Sequence, residues 1–316
     1  MKALVIGAAG FVGGYLISAL QQNGYDVSAT KLSFESINAE NCRVFDLDIT
    51  DAAAVSALIK EERPERIFHL AAQSSVKLSW ERPELTVKVN INGSLNVLEA
   101  CRALSSEEYC PRILLIGSAE EYGKVSPEDC PISEERKTAP KNIYALTKMT
   151  QNYLGSIYAD GYGMDIINVR TFNHTGPGQS PAFVVSDFCS QVAKIESGEQ
   201  EPIISVGNLE AMRDFTDVRD IVAAYVLLAE KGEAGQTYNV GSGKAVKISE
   251  ILDMIIQNAK CKIEVRRDEK RMRPSDVPLH CADISKIHAR TGWSPKIPLQ
   301  STIKDTLDYF RNQAGK

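Results

Sequence analysis

Through the first half of the chain, short apolar runs alternate with longer segments in which apolar residues recur every three or four positions. The short runs have the length of buried strands, and the longer segments have the period of amphipathic helices. Strands that alternate with helices in this way pair in parallel. We therefore predict an α/β fold, a Rossmann-type doubly wound parallel sheet. The predicted strands are 3–6, 26–31, 43–45, 66–72, 112–117 and 164–170, and the predicted helices are 15–23, 52–60, 85–101 and 143–158.

The pattern changes after Thr171, where prolines interrupt a series of short segments. Proline ends helices and is excluded from central strands, so regular alternation does not continue here. We expect residues 1–171 to form the doubly wound domain. Residues 172–316 are expected to form mainly a smaller mixed lobe that adds a second binding wall. We also expect residues at about 213–245, with a strand at 236–240, to return to the first domain.

The composition excludes several classes of protein. The chain has 316 residues, 43% of them hydrophobic, and a formal net charge of −5. This acidic balance lacks the basic footprint of a nucleic-acid-binding protein. No apolar run reaches the about 18 residues of a membrane span, and Met1-Lys2 leads into a strand rather than a signal peptide. We therefore expect a cytoplasmic protein that binds neither nucleic acid nor membrane.

The seven cysteines and four histidines are scattered without the spacing of metal ligands. Structural zinc sites use closely spaced Cys and His pairs, and disulfide frameworks favour an even number of cysteines. We expect reduced thiols and no bound metal.

A glycine-rich loop follows the first predicted strand and precedes the first helix. In a strand–loop–helix unit, Gly7 allows a tight turn, Gly10 lets a pyrophosphate approach the backbone, and Gly13 permits close packing of helix and strand. This pattern predicts a dinucleotide site, which makes 1–171 an NAD(P)-binding domain. The alternative is a glycine-rich turn without a ligand.

Further residues at the ends of the predicted strands are candidates for this site. Lys31, at the end of the second strand, suits a 2′-phosphate and favours NADPH over NADH, although a solvent-facing lysine is an equally good interpretation. Asp48 and Ile49 are expected to contact the adenine. The other candidate cofactor residues are Phe11, Val12, Leu70, Ala71, Ala72, Tyr144, Lys148 and Arg170, whereas we expect His69 to be a packed strand histidine.

A serine, a tyrosine and a lysine provide the candidate chemistry. Tyr144 and Lys148 are four residues apart on a predicted helix, so their side chains share one face. An ammonium close to a phenol lowers the pKa of the phenol. Ser118 ends a neighbouring strand, so we expect Ser118 and Tyr144 to donate to a substrate oxygen and Lys148 to stabilise the tyrosinate. Alone, a Tyr/Lys pair at this spacing is usually a solvated pair.

Taken together, the motifs resemble the extended short-chain dehydrogenase/reductase family that acts on nucleotide sugars. The resemblance covers nearly the whole chain through GAAGFVG, DITD, HLAA, SAEEYG, YALTK, RTFNHTGPGQ, RDFTDVRD, YNVGSG and RMRPSDV. Within it, the segments after Thr171 look most like GDP-4-keto-6-deoxymannose reductases, which make GDP-rhamnose for surface polysaccharide. The resemblance implies a homodimer formed by the two long helices. It also implies that the nucleotide sugar is held by Asn173, Phe183, Val184, Arg213, Arg273 and Asp276.

The sequence also leaves other activities open. Glu120 lies where the related dehydratases carry their base, so GDP-mannose 4,6-dehydratase is an alternative. A nucleotide-sugar 4-epimerase is a third enzyme, and a non-catalytic NADP-binding regulator is a fourth hypothesis. Ala119 replaces the acidic residue of glucose dehydratases, which weakens elimination. We expect Glu121 to face solvent.

Overall fold

The computed structural model describes residues 1–37, 39–106, 109–271 and 279–314. The strands are β1 (Lys2–Ile6), β2 (Asp26–Lys31), β3 (Arg43–Asp46), β4 (Arg66–His69), β5 (Arg112–Ile116), β6 (Ile166–Thr171), β7 (Asn173–Thr175), β8 (Ile203–Val206), β9 (Met212–Asp217), β10 (Thr237–Val240), β11 (Ala245–Lys247) and β12 (Glu264–Arg267). The helices are α1 (Phe11–Gln22), α2 (Ala52–Glu62), α3 (Val76–Glu81), α4 (Pro83–Val87), α5 (Gly93–Leu104), α6 (Ile143–Tyr162), α7 (Val184–Glu196), α8 (Val218–Lys231), α9 (Ile248–Gln257), α10 (Ser285–Thr291) and α11 (Leu299–Arg311).

Seven parallel strands form the main sheet, in the order β10-β6-β5-β4-β1-β2-β3. The central strands are apolar along their length, as expected where helices cover both faces of a sheet. For example, Val5 lies opposite Ala29 on one side and Phe68 on the other. This arrangement confirms the predicted Rossmann-type doubly wound fold.

Each face of the sheet has its own apolar core. On one face, α1 and α8 pack over the sheet together with Ile287 of α10 and the following Trp293. On the other face, α2, α5 and α6 cover the same strands. Both cores therefore stabilise the strands that end at one edge of the sheet.

A smaller mixed lobe follows β6. Its apolar core comes from α7, α9 and α11 and from β8 and β9. β9 lies between antiparallel β11 and parallel β7, and β12 pairs in parallel with β8. Of the expected returning segment 213–245, α8 packs on the main sheet and β10 is one of its strands, whereas β9 and Ala245, the first residue of β11, belong to the lobe. The two-domain division at residue 171 remains our proposal.

Several element bounds differ from the predicted ones. α1 begins at Phe11 because the helix starts directly from the glycine loop. α6 continues through Gly161 and ends at Tyr162, where Gly163, with a φ of 65°, caps the helix. The predicted helix 85–101 is two α-helices joined by a π-helical turn at Lys88–Asn92. Among the described helices, none combines the length and the apolarity needed to cross a bilayer.

Candidate active site

Two adjoining cavities lie at the carboxyl edge of the main sheet, where ligands bind in doubly wound folds. The first has a volume of about 840 Å³ and is lined by residues that follow β1 to β6. The second has a volume of about 800 Å³ and reaches into the smaller lobe between α3 and α7. The residues common to both linings are Val76, Glu120, Asn173, His174, Gln179 and Phe183.

The glycine loop lines the first cavity, and its three glycines meet different surroundings. Gly7 has a φ of +83°, and a Cβ there would lie 2.5 Å from the Cα of Ala71. A Cβ at Gly13 would overlap the carbonyl of Ala8. At Gly10 the nearest atom would be 3.9 Å away, and no side chain caps α1 at this residue. The surface beside Gly10 and the uncapped helix N-terminus fit a pyrophosphate.

All but one of the expected cofactor residues line this cavity. They are Gly7, Gly10, Phe11, Val12, Gly13, Lys31, Asp48, Ile49, Leu70, Ala71, Ala72, Tyr144 and Lys148. Lys31 forms an ion pair with Asp46, and its side chain is only 18% exposed. It is therefore not the solvent-facing lysine of the alternative interpretation.

Arg170 is the exception among the expected cofactor residues, and it has a different surrounding from the one we expected. Its side chain is 9% exposed and pairs with Glu121 through Nε at 3.0 Å. The guanidinium also donates to the Tyr122 hydroxyl and to the Glu134 carbonyl. This geometry favours a structural role behind the site over contact with a cofactor.

Ser118 is fixed at the end of β5 by a capping box. Its Oγ accepts from the Glu120 N–H at 3.2 Å, and Glu121 Oε1 accepts from the Ser118 N–H at 2.9 Å. The prediction that Glu121 faces solvent is wrong, because its side chain is fully buried. The reason is that two donors, the Ser118 N–H and the Arg170 guanidinium, lie on the inner side of this turn.

α6 delivers Tyr144 and Lys148 to the same cavity. Asn142 caps this helix, since its Oδ1 accepts from the Ala145 N–H at 2.7 Å. The Lys148 ammonium donates to the Ile116 carbonyl at 2.7 Å and to Gln151 Oε1 at 3.1 Å. Lys148 is therefore directed to the end of β5, and no hydrogen bond between Lys148 and Tyr144 occurs in the described structure.

The pKa values of the pair differ from the expectation that Lys148 lowers the pKa of Tyr144. Burial raises the pKa of Tyr144; a hydrogen bond with Ser118 opposes the rise, and the negative charges of Glu120 and Glu121 add to it. Burial lowers the pKa of Lys148 to about 8, and the Glu121 carboxylate opposes that shift. Tyr144 is therefore held as a protonated phenol, which is the form that donates a proton.

Glu120 lines both cavities, so its carboxylate lies where they meet. The side chain of Asn142 donates to Glu120 Oε2 at 3.2 Å. The residue that caps α6 thus also orients this carboxylate. Such a group can accept a proton from carbon or a hydrogen bond from a sugar hydroxyl.

The residues expected to hold the substrate divide into two groups. Asn173, Phe183, Val184 and Arg213 line the second cavity. Arg213 also donates from Nη1 to the Met212 carbonyl. Arg273 and Asp276 lie outside the described residues.

Several residues of the site were not expected from the sequence. His174 stacks on Phe11 with ring centroids 6.0 Å apart, and His280 bonds the Gly123 carbonyl through Nε2 at 2.8 Å. Tyr225 of α8 lines the first cavity and bonds Thr171. His174, Tyr225 and His280 share no motif in the sequence. The FNHTGPGQ run contains His174 and was the one signal near any of them. His69 lies packed in β4, as expected, with Nε2 2.9 Å from Ser94 Oγ.

Comparison with known proteins identifies the family. The family described as GDP-mannose 4,6 dehydratase matches residues 4–306. The chain belongs to this family. It is thus a member of the extended short-chain dehydrogenases/reductases that the motifs resemble, and an NAD(P)-dependent enzyme. No group of three or more His, Cys, Asp or Glu side chains in the described ranges is arranged to hold a metal ion.

Individual relatives in this family carry different activities. A GDP-6-deoxy-D-mannose reductase of Pseudomonas aeruginosa is 34% identical over 80% of this chain and 82% of its own length. A GDP-mannose 4,6-dehydratase of Yersinia enterocolitica is 28% identical over 97% of this chain and 92% of its own length. The solved structure of RMD from Pseudomonas aeruginosa in complex with NADPH has a TM-score of 0.87 at 29% identity, and the alignment covers 99% of this chain and all of that one. Family membership therefore does not by itself distinguish a reductase from a dehydratase.

Proposed function

We propose that this protein is a reductase that uses NADPH to convert the C4 keto group of GDP-4-keto-6-deoxy-D-mannose to the alcohol of GDP-D-rhamnose. The observation that carries the proposal is the 34% identity with a GDP-6-deoxy-D-mannose reductase, against 26–29% with dehydratases. The likeness to an NADPH complex supports NADPH as the cofactor. NADH is the alternative.

The first cavity fits the dinucleotide. The backbone at Gly10 and the N-terminus of α1 would hold the pyrophosphate, Lys31 would lie near the adenosine ribose, and Lys148 would hold the nicotinamide ribose. The bound cofactor supplies a hydride to the carbonyl carbon. Ser118 and Tyr144 would lie at the oxygen of that carbonyl.

The protein supplies the proton that the carbonyl oxygen takes up. Tyr144 donates its phenolic proton to the oxygen as negative charge develops there, and the Ser118 hydroxyl donates a second hydrogen bond. Lys148 provides the positive charge that stabilises the resulting tyrosinate, although in the free protein its ammonium bonds Ile116 and Gln151. Hydrogen-bond donors placed before the reaction begins stabilise the transition state without reorganisation.

The second cavity would hold the nucleotide end of the substrate. Arginine binds diphosphate oxygens well because its donors are fixed in a planar fork, and Arg213 lines this cavity. Binding energy from the remote nucleotide would position the sugar carbon near the hydride.

To test this proposal, purified protein is mixed with NADPH and GDP-4-keto-6-deoxymannose, and the absorbance of the reduced nicotinamide is measured over time. We expect oxidation of NADPH in a 1:1 ratio with a 6-deoxyhexose product, and no oxidation with GDP-mannose. A protein that leaves NADPH unchanged with the keto sugar is not this reductase.

The same mixture tests the second candidate, GDP-mannose 4,6-dehydratase. The Glu120 carboxylate favours this candidate because it lies at the junction of the two cavities, where a base could remove a sugar C–H proton. Conversion of GDP-mannose to the keto sugar without net oxidation of the cofactor would identify the dehydratase.

We further propose a homodimer that forms through α6 and the helical segment 83–104. On α6, Leu146, Tyr153 and Ile157 are 45%, 55% and 59% exposed. Their spacing of seven and four residues places them on one helix face. Exposed apolar side chains that share one helix face support an association surface there. The cytoplasmic location expected from the sequence stays a prediction.

A further inference from the structure

One carboxylate in the lining of the second cavity has an unused oxygen. Asp187 lies in the first turn of α7, and its side chain is 19% exposed. Its Oδ2 accepts hydrogen bonds from Arg271 Nη1 and, at 3.1 Å, from Gln191 Nε2. Within the described part of the chain, Oδ1 has no hydrogen-bond partner. A ligand group that meets Asp187 must therefore be a donor.

The carboxylate is held in place before any ligand arrives. The Gln191 amide bonds both backbone groups of Ser205 in β8, at 2.9 and 3.2 Å. Arg271, which follows β12, adds an ion pair to the same carboxylate. A group fixed in this way loses little further freedom on binding, so its hydrogen bonds contribute more to affinity and selectivity.

An exposed aromatic ring lies one helical turn before Asp187. The Asp187 N–H donates to the Phe183 carbonyl at 2.8 Å, so the two residues are at i and i+4 and share a helix face. Phe183 lines the same cavity and is 46% exposed. Aromatic side chains stack on nucleobases of any kind because every base has a π-face. Phe183 thus offers a stacking surface beside the Asp187 acceptor.

We propose that Asp187 recognises the nucleobase of the substrate and selects guanine. This inference rests on the proposed function and names the residue that gives that site its nucleotide specificity. A carboxylate has about four acceptor positions and no donor. The two hydrogen bonds to Oδ2 leave about two positions free, which match the adjacent N1–H and N2 amino donors on one edge of guanine.

Other bases fit this arrangement less well. Uracil and thymine carry one N–H between two carbonyl oxygens, and adenine and cytosine carry an amino group beside an acceptor nitrogen. Each of these would place an acceptor against the carboxylate and leave a buried polar group unpaired, which is how polar sites reject the wrong ligand. The diphosphate is also excluded from this position because both groups are negatively charged.

The test is equilibrium binding by calorimetry, with GDP, IDP, xanthosine diphosphate and UDP as probes and no turnover. Inosine lacks the N2 amino group, and xanthine has a carbonyl oxygen there. We expect the protein to bind GDP at least about tenfold more tightly than IDP, because a hydrogen bond to a charged group is lost. For Asp187→Asn we expect weaker GDP binding and stronger xanthosine diphosphate binding, so that the preference reverses, because an amide offers one donor and one acceptor.

Two outcomes would overturn the proposal. An Asp187→Asn protein that loses the same factor with all four nucleotides would mean that Asp187 contacts the ribose or only supports the lobe. A wild-type protein that binds IDP or UDP as tightly as GDP would overturn it without any variant. Neither outcome affects the NADPH oxidation assay, so the proposed reduction is judged separately. Asp308→Asn is the matched control, since Asp308 pairs with Arg311 on α11 and should leave all four affinities unchanged.

Discussion

Arg170 and Glu121 form an ion pair at 3.0 Å directly beneath the candidate catalytic serine, and their side chains are 9% and 0% exposed. Glu121 uses its other oxygen to hold the Ser118 N–H. Burial raises the pKa of Glu121, and the charge of Arg170 opposes the rise. The pair therefore connects the position of Ser118 to the stability of the sheet edge.

Removing one charge of this pair should destabilise the protein. We expect Glu121→Gln to lower the free energy of unfolding by about 3–5 kcal/mol, because it leaves Arg170 buried without a counter-charge. Urea titration followed by circular dichroism measures this. Glu135→Gln, at an exposed glutamate, is the control and should change stability by less than about 0.5 kcal/mol. Equal stability of Glu121→Gln and the control would contradict the structural role of the pair.

The glycine loop separates effects on folding from effects on binding. We expect Gly10→Ala to fold normally, since its Cβ has open space, and to weaken NADPH binding at least about tenfold because the methyl group lies where a pyrophosphate would approach. Gly13→Ala should instead lose about 1–3 kcal/mol of stability from overpacking against Ala8. Fluorescence titration of NADPH and thermal unfolding measure the two effects.

Gly14→Ala is the matched control for both variants, because nothing lies within 4 Å of its added Cβ. It should gain about 0.5–1 kcal/mol, as alanine replaces glycine in a helix. Unchanged NADPH affinity in Gly10→Ala would argue against a pyrophosphate at this loop.

Tyr144 should be required for the chemical step and not for cofactor binding. We expect Tyr144→Phe to lower kcat by about 10²–10⁴, because it removes the proton donor and leaves the aromatic ring in place. The dissociation constant for NADPH should stay within about threefold of the wild-type value. This is less than the tenfold change that about 1.4 kcal/mol of binding free energy produces. Tyr153→Phe, on the exposed face of the same helix, should behave as wild type, and full activity in Tyr144→Phe would remove the proposed mechanism.

Lys148 should give the reaction an alkaline limit. Its pKa is lowered to about 8, and a lysine carries its charge only below its pKa. We therefore expect kcat/KM for NADPH to fall about tenfold per pH unit above pH 8, since this parameter reports ionisation of the free enzyme. The initial rate of NADPH oxidation between pH 6 and 10, in buffers of constant ionic strength, measures it. A Lys148→Met variant should be slow and lack this limb; the same limb in that variant would assign it to another group.

The apolar stripe on α6 should determine the oligomeric state. We expect sedimentation velocity to give a dimer for the wild-type chain and a monomer for Leu146→Glu combined with Ile157→Glu. Charges in an apolar interface would be buried without partners, which costs several kcal/mol. Thr150→Glu places a charge between these residues on the same helix face, so this variant should also shift the equilibrium from dimer to monomer. A wild-type monomer at micromolar concentration would contradict the proposal.

Much of the site was predictable because its motifs are local. The glycine loop, Ser118 at a strand end and the Tyr144/Lys148 spacing each depend on a few neighbouring residues, and parallel strands bring their carboxyl ends to one edge. That is why residues as distant as Gly7 and Tyr144 could be placed in one cleft from the sequence. Glu120 and Glu121 show where this reasoning fails. Adjacent glutamates on one turn look alike in sequence, and the one that is buried is the one that meets the Ser118 N–H and a donor 49 residues away, on Arg170.

The sequence alone determined the alternation of strands and helices, the doubly wound fold and the dinucleotide loop, because hydrophobic period and backbone freedom act over short distances. Tertiary structure decided the partners of the charged and polar side chains. It directed the Lys148 ammonium to the Ile116 carbonyl and paired Arg170 with Glu121. It also left Oδ1 of Asp187, a residue of the cavity lining, without a hydrogen-bond partner among the described residues. The physical reason is that the burial and the hydrogen bonds of a side chain depend on which segments, distant in sequence, pack together in the fold. Burial and hydrogen bonding in turn set the pKa values of the site and its specificity.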